Sequence, residues 1–140
     1  MPQILLGKWS IERNEGFEEY LALKGTSWLL RKAIMMAGHD IVYKKSGSEG
    51  RFICEHHVPG KTLTSEFALG EEREIAGMDK KKRKITTTAG EDGRSIVEHH
   101  LIVEDNAVET FTLSVDHNGV LVQSFRGGDV KYRRYFKRKA

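Results

Sequence analysis

The stretch SIVEHHLIVEDNAVETFTLSVDHNGVLVQSF, Ser95 through Phe125, decides the fold. Its runs SIVEHHLIVE, VETFTLSV and VLVQSF are rich in β-branched and aromatic residues, and EDNA and DHNG, clusters of turn formers, separate them. That is the pattern of an antiparallel meander. Working outward, it extends upstream to His39 through the turn signals SGSEG, VPGK, LGEE, AGMD and AGEDG, and downstream through RGGD. Turns that recur at roughly ten-residue intervals close a meander into a barrel or a sandwich. Neither Pro2 nor Pro59 falls within a strand run. In KITTTA and FTLSV, threonine and serine stand where a dry sandwich core would place Val or Leu, which favours a barrel with a partly polar, hydrated interior.

One segment breaks the pattern. From Gly16 to about Ala37 the apolar residues Phe17, Tyr20, Leu21, Trp28, Leu29, Ile34 and Met35 recur at helical spacing, with charges between them. Asn14 is read as the first N-cap, Gly25 as a stop, Thr26 or Ser27 as a second N-cap, and Gly38 as the end. The expectation is two short helices, at about 16–37, after one strand and before about nine more, covering one mouth of the barrel.

The totals agree with one domain spanning 1–140. A chain of 140 residues with 39% hydrophobic and 31% charged residues folds, and its net charge of +3 is too mild for a dedicated nucleic-acid binder. A single cysteine, Cys54, forms no internal disulfide and points to a reducing cytoplasmic setting. MPQILLGKW lacks a basic leader, so no secretory signal is expected, and no apolar run reaches the roughly 20 residues needed to span a bilayer.

The final segment, YRRYFKR from Tyr132 to Arg138, mixes three rings with four cations. Strand side chains alternate, so Val130, Tyr132, Arg134, Phe136 and Arg138 share one face, and Lys131, Arg133, Tyr135 and Lys137 share the other. The first set is the more apolar and should face inward, which makes Arg134 an inward cation. A guanidinium there needs a protein acid, ordered water or an anionic ligand, and its fork matches a carboxylate. The competing reading leaves Arg134 exposed on a frayed basic terminus.

GKW at Gly7 to Trp9, NEGFEEYLALKGTSWLLRKAI from Asn14, FALGEE from Phe67 and GDVKYRRYFKR from Gly128 occur in one order across nearly the whole chain. Together they resemble the intracellular lipid-binding family, the fatty-acid-binding and cellular retinoid-binding proteins, in a nematode-like form. The resemblance implies a ten-stranded antiparallel up-and-down β-barrel (a β-clam), a two-helix lid and an internal cavity for a long-chain fatty acid or related lipid. It places the last-strand arginine of the family's Arg-x-Tyr pair on Arg134, but puts Phe136 where the tyrosine stands and Ser114 at or near the earlier arginine. Tyr132, Gln123 or Ser114 would have to make up the missing polar contacts, and a neutral lipid becomes more credible than in a standard member. Phe17, Trp28, Leu29, Ile34, Val58 and Met78 are the expected cavity and portal residues.

KKKRK (Lys80, Lys81, Lys82, Arg83, Lys84) reads as an import signal, an anionic-lipid contact or a solvated turn. With Lys24, Arg31 and Lys32 on the helices it outlines a surface for transient contact with an anionic membrane, an import factor or a nuclear receptor. The pairs His56-His57 and His99-His100 point to opposite faces of their strands, so neither chelates a metal alone. No nucleophile-and-base pair or phosphate loop is found, and no enzyme activity, cofactor, metal or nucleic-acid partner is expected. The reading is a monomeric carrier, cytoplasmic and also nuclear if KKKRK is read by an import factor. The alternative is a barrel scaffold that signals through its basic surface.

Overall fold

A computed structural model describes residues 1–139. After a 3-10 turn at Gln3–Leu5 come β1 (Gly7–Glu15), α1 (Phe17–Leu23) and α2 (Trp28–Met36). Nine strands follow: β2 (Asp40–Lys45), β3 (Phe52–Val58), β4 (Lys61–Phe67), β5 (Glu72–Ala76), β6 (Lys82–Ala89), β7 (Ser95–Ile102), β8 (Ala107–Val115), β9 (Leu121–Gly127) and β10 (Val130–Lys139). They make one antiparallel sheet in the order β4-β3-β2-β1-β10-β9-β8-β7-β6-β5. Every neighbour is sequential except β1 and β10, whose pairing from Lys8↔Lys139 to Glu15↔Arg133 draws the meander into a nearly closed barrel. This is the expected ten-stranded clam with its lid between β1 and β2.

β4 and β5 are the two edges and share no ladder. Arg73 of β5 spans the seam instead, donating from Nε to Ser65 Oγ of β4 at 2.7 Å and from Nη1 to Thr87 Oγ1 of β6 at 3.1 Å. Its guanidinium lies 4.7 Å from the Phe67 ring centre.

The lid is built as the glycines and hydroxyls dictate, with one correction. Ser27 caps α2 by accepting from the Leu30 amide at 3.3 Å, and Gly25 at φ +82° lets the chain reverse between the helices. Asn14, expected as the cap of α1, instead lies in β1 and turns its amide to Arg134. The residue preceding α1 is Gly16 at φ +74°, where a Cβ would come within 3.2 Å of the Lys131 carbonyl. A glycine fits that left-handed crossing from strand to lid, and a side chain does not.

The interior is layered, and the period of two explains the layers. On β10 the inward residues Tyr132, Arg134 and Phe136 run ring, polar, ring; on β9 Phe125, Gln123 and Leu121 place a polar residue between two apolar ones directly beside them. A base cluster holds Leu5, Trp9, Ile41, Tyr43, Phe67, Ile96, Leu113, Leu121 and Phe136, plugged where Trp9 Nε1 donates to the Leu5 carbonyl at 3.0 Å. A smaller cluster of Phe17, Phe125 and Tyr132 receives Tyr20, Leu21, Ile34 and Met35 from the lid. Between the clusters runs a belt of buried polar groups: Glu98, His100, Glu109, Gln123 and Arg134. The polar interior is therefore real, but of the threonines and serine in KITTTA and FTLSV only Thr87 is buried; Thr110, Thr112 and Ser114 stand on the outer wall with parity opposite to Glu109, Leu113 and Val115.

Candidate functional site

The parity reading of the last strand holds. Arg134 is 7% exposed, and among the described residues no carboxylate lies within 4 Å of it. Its Nε donates to Asn14 Oδ1 at 2.7 Å and its Nη1 to His39 Nδ1 at 2.9 Å, and the guanidinium stacks 4.1 Å from the Phe17 ring centre. An arginine has no lone pair to offer, so His39 Nδ1 must be the acceptor and His39 Nε2 must carry the proton. Nε2 then donates to His56 Nδ1 at 3.0 Å. Both imidazoles are neutral: burial pushes His39 down to about 3, aided by the nearby His56 and Arg134, and burial also lowers His56. Burial brings the guanidinium itself down to about 10, so at neutral pH it keeps its charge at a cost in desolvation. The site is a buried cation held by two neutral groups and a ring face.

A second cluster lies across the belt. Arg83 Nη1 meets Glu109 Oε1 at 2.8 Å and His100 Nδ1 at 3.1 Å, and its Nη2 meets Asp79 at 2.8 Å. His100 Nε2 reaches Glu98 at 2.9 Å, and Lys24 at the end of α1 stands 3.6 Å from Glu109. Here each cation has a carboxylate.

The other expected head-group residues divide. Gln123 is buried directly across the ladder from Arg134. Tyr132 stacks on Phe125 with centroids 4.6 Å apart and edges onto Phe17, placing it in the lid cluster. Phe136 is fully buried with its edge toward His39, 5.7 Å between centroids, and supplies no hydroxyl. Ser114 is corrected: it pairs with Ser95 and Val122 on the outer wall, because Leu113 and Val115 hold the inward parity.

Of the portal residues, Phe17 lies under Arg134 and Ile34 packs into the lid cluster. Trp28 and Leu29 point outward, 63% and 74% exposed, beside exposed Leu30 and Met36. Val58 ends β3 opposite Lys61, and Met78 sits exposed between β5 and β6. Lys32 pairs with Glu18 at 2.7 Å, and Arg31 donates to the Thr26 carbonyl at 2.8 Å.

The KKKRK run is not one surface. Arg83 is buried in the second cluster, Lys81 pairs with Asp105 at 2.7 Å and Lys82 with Glu74 at 3.6 Å, and Lys80 and Lys84 are exposed. Arg83 as a membrane or import contact is corrected on that ground: releasing it would strand Glu109, which is 4% exposed.

Sequence reading missed Asn14, His39, His56, Arg73, Glu98, His100 and Glu109 as interior groups. For the residues on β7 and β8 a signal existed: the period-two phase fixed by Ile96 and Leu113 places Glu98, His100 and Glu109 inward as firmly as Tyr132 and Phe136 place Arg134.

A ten-stranded antiparallel clam with a helical pair between its first two strands is the architecture of the calycin-type lipid-binding barrels. No protein-family model matches the chain. Among curated proteins, fatty acid-binding protein homolog 3 of Caenorhabditis elegans is 32% identical, covering 99% of this chain and 84% of its own length. The fatty acid-binding protein homolog of Ascaris suum is likewise 32% identical, over 99% and 86%. Among solved structures As-p18, an extracellular fatty acid binding protein, aligns with a TM-score of 0.87 at 31% identity over 99% of this chain and 98% of its own. A Schistosoma mansoni fatty acid binding protein in complex with arachidonic acid shares the fold, with a TM-score of 0.83 at 19% identity over 99% and 98%. The chain belongs to the fatty-acid-binding protein family.

Proposed function

We propose that the protein is a non-enzymatic carrier that encloses a long-chain fatty acid in the barrel, its carboxylate against Arg134 and its tail along the apolar layers. The observation that carries this reading is the buried guanidinium answered only by Asn14, His39 and Phe17. A buried cation without a counter-ion is costly, and a monoanionic head group offsets the cost through two parallel charged hydrogen bonds. Gln123, beside Arg134 in the ladder, supplies a further amide, in place of the hydroxyl that Phe136 lacks. Tail burial contributes about 0.8 kcal/mol per methylene before ordering costs.

Delivery to membranes runs through the lid, whose outward Trp28, Leu29, Leu30 and Met36 adjoin Lys24, Arg31 and Lys32, an apolar face with a cationic margin. The chain acts as a monomer. Its compartment is the cytoplasm, in keeping with one buried thiol, although the similar As-p18 is extracellular. Entry to the nucleus would use the lid cations rather than KKKRK, whose Arg83 is buried.

Displacement of a fluorescent fatty acid by oleate and by methyl oleate tests the core of the proposal. Saturable displacement at micromolar protein is expected, with the acid preferred over the ester in the parent and the preference lost in Arg134→Ala. Equal loss of both ligands would remove charge pairing from the account, and no saturable displacement would favour a scaffold instead.

A further inference from the structure

A groove of about 690 Å³ lies where β8, β9 and β10 meet the start of the lid, with Gly16 at one end of its lining and the inward Phe125 and Tyr132 at its floor. Arg126, Lys131 and Arg133 line it, interleaved with the hydroxyls of Thr110, Thr112 and Ser124. The register puts Lys131 directly opposite Arg126, Arg126 opposite Thr110, Arg133 opposite Ser124, and Ser124 opposite Thr112. Directly opposed strand residues have Cβ atoms only about 4.5–5.5 Å apart, and like charges there repel.

Several cations elsewhere on the wall are answered by carboxylates. Lys44 pairs with Glu55 at 2.8 Å, Arg51 with Glu66 at 2.9 Å, and Lys82 with Glu74 at 3.6 Å. Even the other opposed cation pair, Lys8 and Lys139, is relieved by Asp40, 3.1 Å from Lys139. Among the described residues, Arg126, Lys131 and Arg133 have no carboxylate within 4 Å. The one acid in the groove, Glu15, stands opposite Arg133 in the β1–β10 ladder and is engaged by Arg13 at 2.8 Å; hydrogen bonds from Tyr135 and Arg13 hold its carboxyl below the usual range with help from the nearby Arg133. That leaves Arg126 and Lys131 as the opposed pair with no facing acid among the described residues.

The geometry points to an oxoanion site in this groove, for a phosphate group held by the Arg126–Lys131 pair and Arg133 and oriented by the threonine and serine hydroxyls. A tetrahedral oxoanion accepts from several directions at once, as converging cations and hydroxyls require, and an arginine fork grips two of its oxygens. The groove opens to the outer wall, opposite in parity to the lumen, so this inference stands independently of the carrier reading. The phosphate comes either from solution or from a phospholipid head group. In the second case the bilayer would meet the protein beside the first turn of α1, which Gly16 of the lining precedes.

Two arms distinguish the sources. Inorganic phosphate, titrated at constant ionic strength, is followed by amide shifts at Thr110, Thr112, Ser124, Arg126 and Lys131 and by the melting temperature. Co-sedimentation is measured with phosphatidylcholine vesicles with and without phosphatidylglycerol. Each arm uses the parent, Arg126→Gln/Lys131→Gln, and the charge-matched control Lys45→Gln/Lys61→Gln, which removes two exposed cations far along the sheet. Groove-localised shifts with inorganic phosphate, weakened about ten-fold or more in the groove variant alone, assign a free phosphate. Vesicle binding that requires phosphatidylglycerol and falls to the same degree in the groove variant alone, without phosphate shifts, assigns a lipid head group. Equal losses in the groove and control variants would reduce the effect to net charge and overturn the site, as would no response in either arm. Without anion, the groove variant should melt no lower than the parent, since it relieves a repulsion; a lower melting point would show that the pair is already compensated and would also overturn it.

Discussion

Replacing Arg134 with methionine separates the cost of the buried cation from its use. A fall in pKa from the ordinary guanidinium range to about 10 corresponds to about 3 kcal/mol of unfavourable desolvation carried by the charged form at neutral pH. Because the folded value is the lower one, this penalty is fully present below pH 10 and is relieved only above it, so it acts throughout the physiological range. Methionine fills similar volume without charge, but it leaves Asn14 Oδ1 and His39 Nδ1 without their donor, at about 1 kcal/mol each, and weakens the stack on Phe17. The ligand-free variant should therefore be as stable as the parent or up to about 2 kcal/mol more stable, each kcal/mol raising the melting point by roughly 3 °C for a domain of this size. Oleate should lose two charged hydrogen bonds, about 3–4 kcal/mol or two to three orders of magnitude in Kd, while methyl oleate changes by less than about three-fold. Thermal melts of delipidated protein and calorimetric titration with the two lipids read both effects. A variant destabilised by more than about 2 kcal/mol that loses acid and ester equally would show Arg134 to be a strut of the barrel and refute the reasoning.

Further outcomes follow from the same interior. His39 titrates near 3 in the fold and near 6.5 in the unfolded chain, so below pH 6.5 the unfolded state takes up a proton the native state refuses and stability falls. The loss between pH 6.5 and pH 4 should be on the order of 3 kcal/mol and shrink in His39→Gln, whose carbonyl still accepts from Arg134; unchanged pH profiles in melts would reject this. Arg73→Met removes the side-chain bridge over the seam and should cost about 1–3 kcal/mol, with faster hydrogen exchange confined to β4 and β5. Exchange that rises uniformly would mean the bridge is not local. Leu29→Glu on the outward lid face should leave oleate affinity within about two-fold while slowing fatty-acid transfer to anionic vesicles several-fold, and an unchanged transfer rate would move docking away from the lid.

How much of this was legible in the chain depends on how local the cause is. Turn spacing and strand composition carry the meander, because each hairpin is decided by a handful of neighbouring residues. Parity carries Arg134 inward, because Tyr132 and Phe136 fix the phase of β10 within five residues. Asn14 was misassigned because a polar residue before a helical run is equally a cap and a strand end. Only its pairing with Arg134, 120 positions away, decides between them. Ser114 was misplaced for a related reason: aligning a motif by position gives no strand phase, whereas Leu113 and Val115 do. The split of KKKRK could be read only once β6 had a register, since Arg83 and Ile85 turn inward while Lys82 and Lys84 turn out.

The balance of interior charge bears on the ligand itself. Three guanidiniums turn inward, Arg73, Arg83 and Arg134, against the two carboxylates Glu98 and Glu109, while His39 and His56 are held neutral. Arg83 is matched by Glu109 with help from Asp79 at the rim, and, against its burial, the hydrogen bond from His100, with a smaller contribution from the field of Arg73, holds the Glu98 carboxyl below the usual range. Of the three, Arg134 is the buried guanidinium with no carboxylate and no hydroxyl partner among the described residues. A neutral guest would leave that charge uncompensated, and a dianion would replace it with an excess of the opposite sign in the same low-dielectric space. On the proposed carrier reading, that site favours a guest with a single negative charge. Among lipids of equal chain length, a monocarboxylate should bind more tightly than its alcohol, its methyl ester or its phosphate monoester, and a competition series in which the alcohol matches the acid would refute that ordering.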